Sequence, residues 1–126
     1  MKLYNLHIEI KPSWKTYNNI TDLLKITHVK YKKSKFDSDE EPTDWHYQIC
    51  ENESDPPIDF INYFLNILEP NLINLKLLGI EPKDILFWIV YEYKHQCSLG
   101  FNSQELERIG KVGIGLNIDC YDITTS

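Results

Sequence analysis

The segment from Asn102 to Tyr121 constrains the fold of this chain more than any other. Asn102 suits an N-cap, and Glu105, three residues on, completes the spacing of a capping box. Leu106, Ile109 and Val112 then recur along one helical face. Gly110, Gly113 and Gly115 supply the backbone freedom needed to stop the helix and enter a strand. Leu116, Ile118 and Cys120 alternate with Asn117, Asp119 and Tyr121, the period of a half-buried strand. The block organises a fold and carries no recognisable catalytic apparatus.

Earlier segments supply the remaining elements. Leu3 to Ile10 alternates, with Tyr4, Leu6, Ile8 and Ile10 inward and Asn5, His7 and Glu9 outward, which predicts a first strand. Asn18 or Asn19 is expected to cap a short helix carrying Ile20, Leu23 and Leu24. Val29 to Phe36 reads as a lysine-rich second strand. Trp45 to Cys50 reads as a third, with Trp45, Tyr47 and Ile49 on one face and His46, Gln48 and Cys50 on the other. Asp55-Pro56-Pro57 has the form of a helix entry. Phe60, Ile61, Phe64, Leu65 and Leu68 follow as a broad apolar stripe. Pro70 is expected to kink or restart that helix, and Gly79 to stop it after Leu72, Leu75 and Leu78. Ile85 to Tyr91 is apolar in both alternating sets, the pattern of a strand covered on both faces.

The resulting order, β-α-β-β-α-β-α-β, predicts one α+β domain over residues 1–126 with a mostly antiparallel sheet and packed helices. Its first six elements match a ferredoxin-like split β-α-β core, to which a C-terminal helix–strand unit is added. A chain of 126 residues can bury about two-thirds of its unfolded surface in one core. No apolar run reaches the roughly 18 residues of a membrane span, and the amino terminus lacks a secretory apolar stretch. Cys50, Cys97 and Cys120 are too few and too scattered for a disulfide framework, so a reducing cytoplasm is the expected compartment and buried, inert thiols the expected state.

Charge is unevenly distributed behind a net value of −6. Residues 1–36 hold eight lysines against Glu9 and Asp22, whereas residues 37–59 hold nine carboxylates and no Lys or Arg. This balance argues against general nucleic-acid binding, which uses a basic surface. Lys30, Lys32, Lys33 and Lys35 around Tyr31 could grip a single strand. Without arginine, and next to an acidic loop, they read better as protection of an edge strand. Asp37, Asp39, Glu40 and Glu41 lack the glycine and the closing glutamate of an EF-hand loop. With Glu51, Glu53 and Asp55 they form two acidic loops at the ends of the third strand, suited to steering a basic protein.

His7, His28, His46 and His95 are isolated, without metal-ligand spacing, and no cofactor is expected. Outward positions on three strands can bring His7, Glu9, His46, Cys50, Asp119 and Tyr121 onto one sheet face, where a His–carboxylate pair could do acid–base work. A merely polar open face is the simpler outcome for an antiparallel sheet. No nucleophile elbow or phosphate loop occurs, and no enzymatic activity is expected. Trp14, Trp45 and Trp88 read as packing residues.

Phe101 to Gly110 followed by Leu116 to Tyr121 resembles the ending of a bacterial family, domain-of-unknown-function family 4279. Ile20 to Ile26, Trp45 to Ile49 and the long helix from Ile58 through Pro70 to Leu78 are similar to it too, so the resemblance spans nearly the whole chain. Thr27-His28-Val29 stands where the family has a proline, and Ser34 stands near an expected glycine. The resemblance implies an α+β domain with no catalytic residues to carry over, and it implies kinship with proteins near polymorphic toxins, for which an immunity role is suggested. The expectation is therefore a cytoplasmic immunity-type protein that covers a toxin's active surface, with Asp37, Asp39, Glu40, Glu41, Glu51, Glu53 and Asp55 facing basic toxin residues. Tyr47 and Trp14 are aromatic anchors if exposed. A small-ligand or enzymatic role for the His7, His46 and Asp119 face is the alternative, and single-stranded nucleic-acid binding through residues 30–35 ranks third.

Overall fold

The computed structural model describes residues 1–26 and 40–124, so the strand expected over Val29–Phe36 lies outside the described residues. The described strands are β1 (Lys2–Glu9), β2 (Asp44–Glu51), β3 (Ile85–Tyr93) and β4 (Gly115–Asp122), in the sheet order β2-β1-β3-β4. β1 runs antiparallel to both neighbours, with Leu6 opposite Tyr47 on one side and Phe87 on the other. β4 lies parallel to β3, with Leu86 opposite Gly115 and Tyr93 opposite Asp122. A parallel pair needs a long crossover, which the helix between them supplies. The protein is thus α+β, with an antiparallel β2-β1-β3 set and a parallel strand added to it, while the second strand of the expected split β-α-β unit lies outside the described residues.

The helices are α1 (Trp14–Leu24), α2 (Phe60–Leu68), α3 (Leu72–Leu77) and α4 (Ser103–Val112). The start of α1 is earlier than expected. Ser13 Oγ accepts from Thr16 N at 3.1 Å, so the serine is the cap, and Asn18 and Asn19 lie inside the helix. Asp59, rather than Asp55, caps α2 by accepting from Asn62 N. Asp55 instead accepts from Asn52 N at 2.8 Å and closes a turn. Pro70 has the expected effect: it lacks a donor, and a 3-10 turn over Glu69–Asn71 separates α2 from α3. The Asn102–Glu105 capping box is formed at α4, and the stop is Gly113, at φ +88°, with Gly110 still helical. Among the described residues, no helix is long and apolar enough to cross a membrane.

Tyr4, Leu6 and Ile8 of β1, Trp45 and Tyr47 of β2, and Ile85, Phe87 and Ile89 of β3 point to one side of the sheet. Tyr17, Ile20 and Leu24 of α1, Ile61, Phe64, Leu65 and Leu68 of α2, Leu75 of α3 and Ile109 of α4 join them in one cluster. Every described helix therefore packs on the same face. Leu86, Trp88 and Val90 were expected to be covered by a second layer, yet they are only half-buried, shielded laterally by neighbouring strands.

Glu51 turns inward at the end of β2. Its Oε1 accepts from Tyr4 Oη at 3.0 Å and from Ile58 N at 2.7 Å, and Lys2 Nζ lies 3.5 Å from Oε2. Burial first, and Glu51 second, push the Tyr4 phenol well above its ordinary range, keeping it a neutral donor. This carboxylate ties β1, β2 and the entry to α2 together.

Two stability experiments follow from this core. Phe64 is fully buried against Phe60, Tyr47 and Phe87, so Phe64→Ala should cost about 3–5 kcal/mol in denaturant unfolding. Burial, then its hydrogen bond with Tyr63, pushes the Tyr47 phenol up to about 12. An unfolded chain loses this proton near pH 10 (about the ordinary value), earlier than the folded one. The stabilisation is thus complete below about pH 10 and is lost as pH rises towards 12. Tyr47→Phe should flatten that alkaline fall in the unfolding midpoint.

Candidate functional site

One-sided packing presents the other sheet face to solvent. Alternation along each strand puts His7 and Glu9 of β1, Asp44 and His46 of β2, Trp88 and Glu92 of β3, and Asp119 and Tyr121 of β4 there. His7 stands directly opposite His46, and Glu9 opposite Asp44. Asp44 Oδ2 is 3.7 Å from His7 Nδ1 and 3.4 Å from His46 Nδ1, so one carboxylate serves two imidazoles.

The arrangement continues across the sheet. The His7 ring meets Trp88 edge-on at 6.1 Å between centroids. Trp88 Nε1 donates to Asp119 Oδ2 at 2.7 Å, and Asn5 Nδ2 donates to the Trp88 carbonyl at 3.3 Å. A band of contacts therefore runs from His46 through Asp44, His7 and Trp88 to Asp119, touching all four strands. Its charged groups are Glu9, Asp44, Glu92 and Asp119, and the described strands place no Lys or Arg on this face.

His7, Glu9, Ile10, Thr43 and Asp44 line a shallow recess at one end of the band. Shallow walls neither exclude water nor enclose a small molecule, which limits acid–base chemistry. Among the described residues, no group of three His, Cys, Asp or Glu side chains is placed to hold a metal ion. The face suits contact with another surface.

The residues expected to meet a partner are not one patch. Glu40 and Glu41 are exposed just before β2, while Glu53 and Asp55 are exposed beyond its far end. The eight residues of β2 hold these loops about 25 Å apart at roughly 3.3 Å per residue. Glu51, expected among the partner-facing carboxylates, is buried and already satisfied by Tyr4, Ile58 and Lys2. Asp37 and Asp39 lie outside the described residues, as does the lysine run of residues 30–35. Tyr47 is buried, 7% exposed, because its ring packs on Phe64, so it is no anchor. Trp14 is 38% exposed and sits edge-on to Tyr17 at 5.4 Å.

The expected grouping of His7, Glu9, His46, Cys50, Asp119 and Tyr121 on one face is present. Asp44 and Trp88 complete it, though the sequence reads Trp88 as a packing residue and gives Asp44 no role. Asp44 was legible from its spacing of two residues before His46. Trp88 was masked by the apolar run around it. All three cysteines are exposed, against the expectation of buried thiols. Neither family models, curated proteins nor solved structures give a match to this chain.

Removing the acceptor of the Trp88 indole tests the band directly. Asp119→Ala should cost about 1–2 kcal/mol in urea unfolding, the range for a hydrogen bond to a charged group that is only partly buried. Asn117→Ala, an exposed neighbour on the same strand, should stay within about 0.5 kcal/mol.

Proposed function

We propose that this protein is an immunity-type binding protein of the cytoplasm, which neutralises a basic toxin domain by covering its active surface with the open sheet face. One observation carries the reading: a four-stranded face left uncovered by every described helix, on which the described strands place Glu9, Asp44, Glu92 and Asp119 and no Lys or Arg. Such a face repels anionic partners and attracts cationic ones, raising the association rate more than the final affinity.

Size supports the same reading. Four strands about 4.8 Å apart and eight residues long present about 500 Å². A stable complex uses about 800 Å² per partner, so the acidic loops at the two ends of β2 supply the remainder. Leu86, Trp88 and Val90 offer a half-buried apolar centre, and the carboxylates form the rim. The immunity role specifically rests on the sequence resemblance to family 4279 alone, which no family-model match accompanies. The pairing of His7 and His46 through Asp44 favours a small-ligand or enzymatic role as second reading, but the shallow recess and the commitment of Asp119 to Trp88 weigh against it.

Co-expression with the product of the adjoining gene, followed by a growth-rescue assay, tests neutralisation. Replacing Glu9, Glu40, Glu41 and Asp44 by their amides should slow association about tenfold at low salt and flatten its salt dependence. An unchanged rate at low salt would remove the electrostatic account.

A further inference from the structure

β4 ends one side of the sheet, and among the described residues no strand pairs with its outer edge. Its unbroken register, from Leu86 opposite Gly115 to Tyr93 opposite Asp122, fixes which backbone groups turn that way. Ile123 N donates to the Tyr93 carbonyl at 2.8 Å, so by the two-residue repeat Asn117, Asp119 and Tyr121 bond inwards to β3. Leu116, Ile118, Cys120 and Asp122 therefore direct their N–H and carbonyl groups outwards. Exposed edges are ordinarily blunted by lysine, proline, a bulge or a projecting charge. β4 contains no lysine or proline, and its register has no bulge. Its two carboxylates are engaged within the chain: Asp119 accepts from the Trp88 indole, and Asp122 from Thr124 N at 2.8 Å. Ile118, Tyr121 and, just beyond the strand, Ile123 are exposed.

We propose that this edge binds a second copy of the chain, with β4 pairing antiparallel to β4 about a twofold axis at Ile118. The occupant follows from the strand itself, which is complementary to its own sequence in that register. On the helix-covered side Ile118 meets its counterpart and Leu116 meets Cys120; on the open side Asn117 meets Asp119 and Tyr121 lies over Gly115. Trp88 takes Oδ2 of Asp119, and Asn117 donates to Oδ1. An aromatic ring opposite an edge glycine covers backbone that the glycine leaves bare. Leu116, Ile118 and Cys120 of both copies supply about six ladder hydrogen bonds.

Charge and backbone direction select this register over its neighbours. Moving the axis to Asp119 keeps the overlap but sets two carboxylates face to face, which is destabilising. A half-residue shift sets outward-directed groups against inward-directed ones and breaks the ladder. The chosen axis joins two sheets into one, with all the described helices on one side and both acidic faces on the other. An edge about 25 Å long buries less than the roughly 800 Å² per partner of a tight complex, so the dimer is a reversible one.

Sedimentation equilibrium of the full-length chain, taken to millimolar concentration, tests the pairing. The weight-average mass should climb from that of one chain towards twice that value. Amide exchange at Leu116, Ile118 and Cys120 should slow severalfold as concentration rises, while Asn117, Asp119 and Tyr121, already bonded to β3, should change far less. Ile118→Lys and Ile118→Glu should each keep the mass of one chain. An equimolar mixture of the two should dimerise, because residue 118 faces itself across the axis. A chain that stays single at millimolar concentration would overturn the proposal, as would two folded charge variants that fail to pair when mixed. A dimer whose exchange at Leu116, Ile118 and Cys120 ignores concentration would do the same, placing the contact elsewhere, for instance on the exposed Ile73 and Leu77 of α3. Exchange in the unsubstituted chain decides the matter even if a variant fails to fold.

Discussion

The double pairing of β1, with only one of its faces covered, is the constraint on which the rest depends. β1 hydrogen-bonds to β2 and to β3, so its alternation sets the sidedness of three strands at once. Tyr4, Leu6 and Ile8 turn one face towards the helices, and a slip of one residue would send them to solvent and His7 into the core. The hydrophobic stripes of α1, α2 and α4 have a single surface on which to dock, and the opposite face is left without a helix over it among the described residues. Function, on this account, occupies what the folding problem left uncovered.

Glu51 shows how an apparent surface charge became part of that constraint. A buried carboxylate is costly unless its oxygens are satisfied. Here Tyr4, Ile58 and Lys2 satisfy them, and losing the carboxylate would strand the buried Tyr4 hydroxyl at about 1–3 kcal/mol and leave the half-buried Ile58 N–H without its acceptor. The same residue cannot then offer its charge to a partner. The acidic character of the middle of the chain is thus divided between a structural tie and two separate exposed loops.

Strong periodic patterns made much of the fold legible before the structure. The inward set of β1, both faces of β2, the restart at Pro70 and the capping box at Asn102 follow from spacing and local hydrogen bonding alone. What misled was context. Asp55 followed by two prolines looks like a helix entry, but its carboxylate is taken by Asn52 N, and Asp59 lies nearer the apolar stripe. The doubly apolar β3 suggested two covering layers, whereas Leu86, Trp88 and Val90 are half-shielded by their own neighbours. In the candidate site, the outward residues were readable from alternation, but the join of His7 to His46 through Asp44 depends on register between strands. No local pattern encodes that register.

In the proposed role the uncovered sheet face, and not the helical layer, would receive the partner. Hydrogen–deuterium exchange of the chain alone and in complex with the toxin identified by growth rescue tests it most directly. The account predicts new protection at the loops flanking β2, with α1, α3 and α4 unchanged. Protection confined to those helices, with the sheet and its loops exchanging as in the unbound chain, would contradict it.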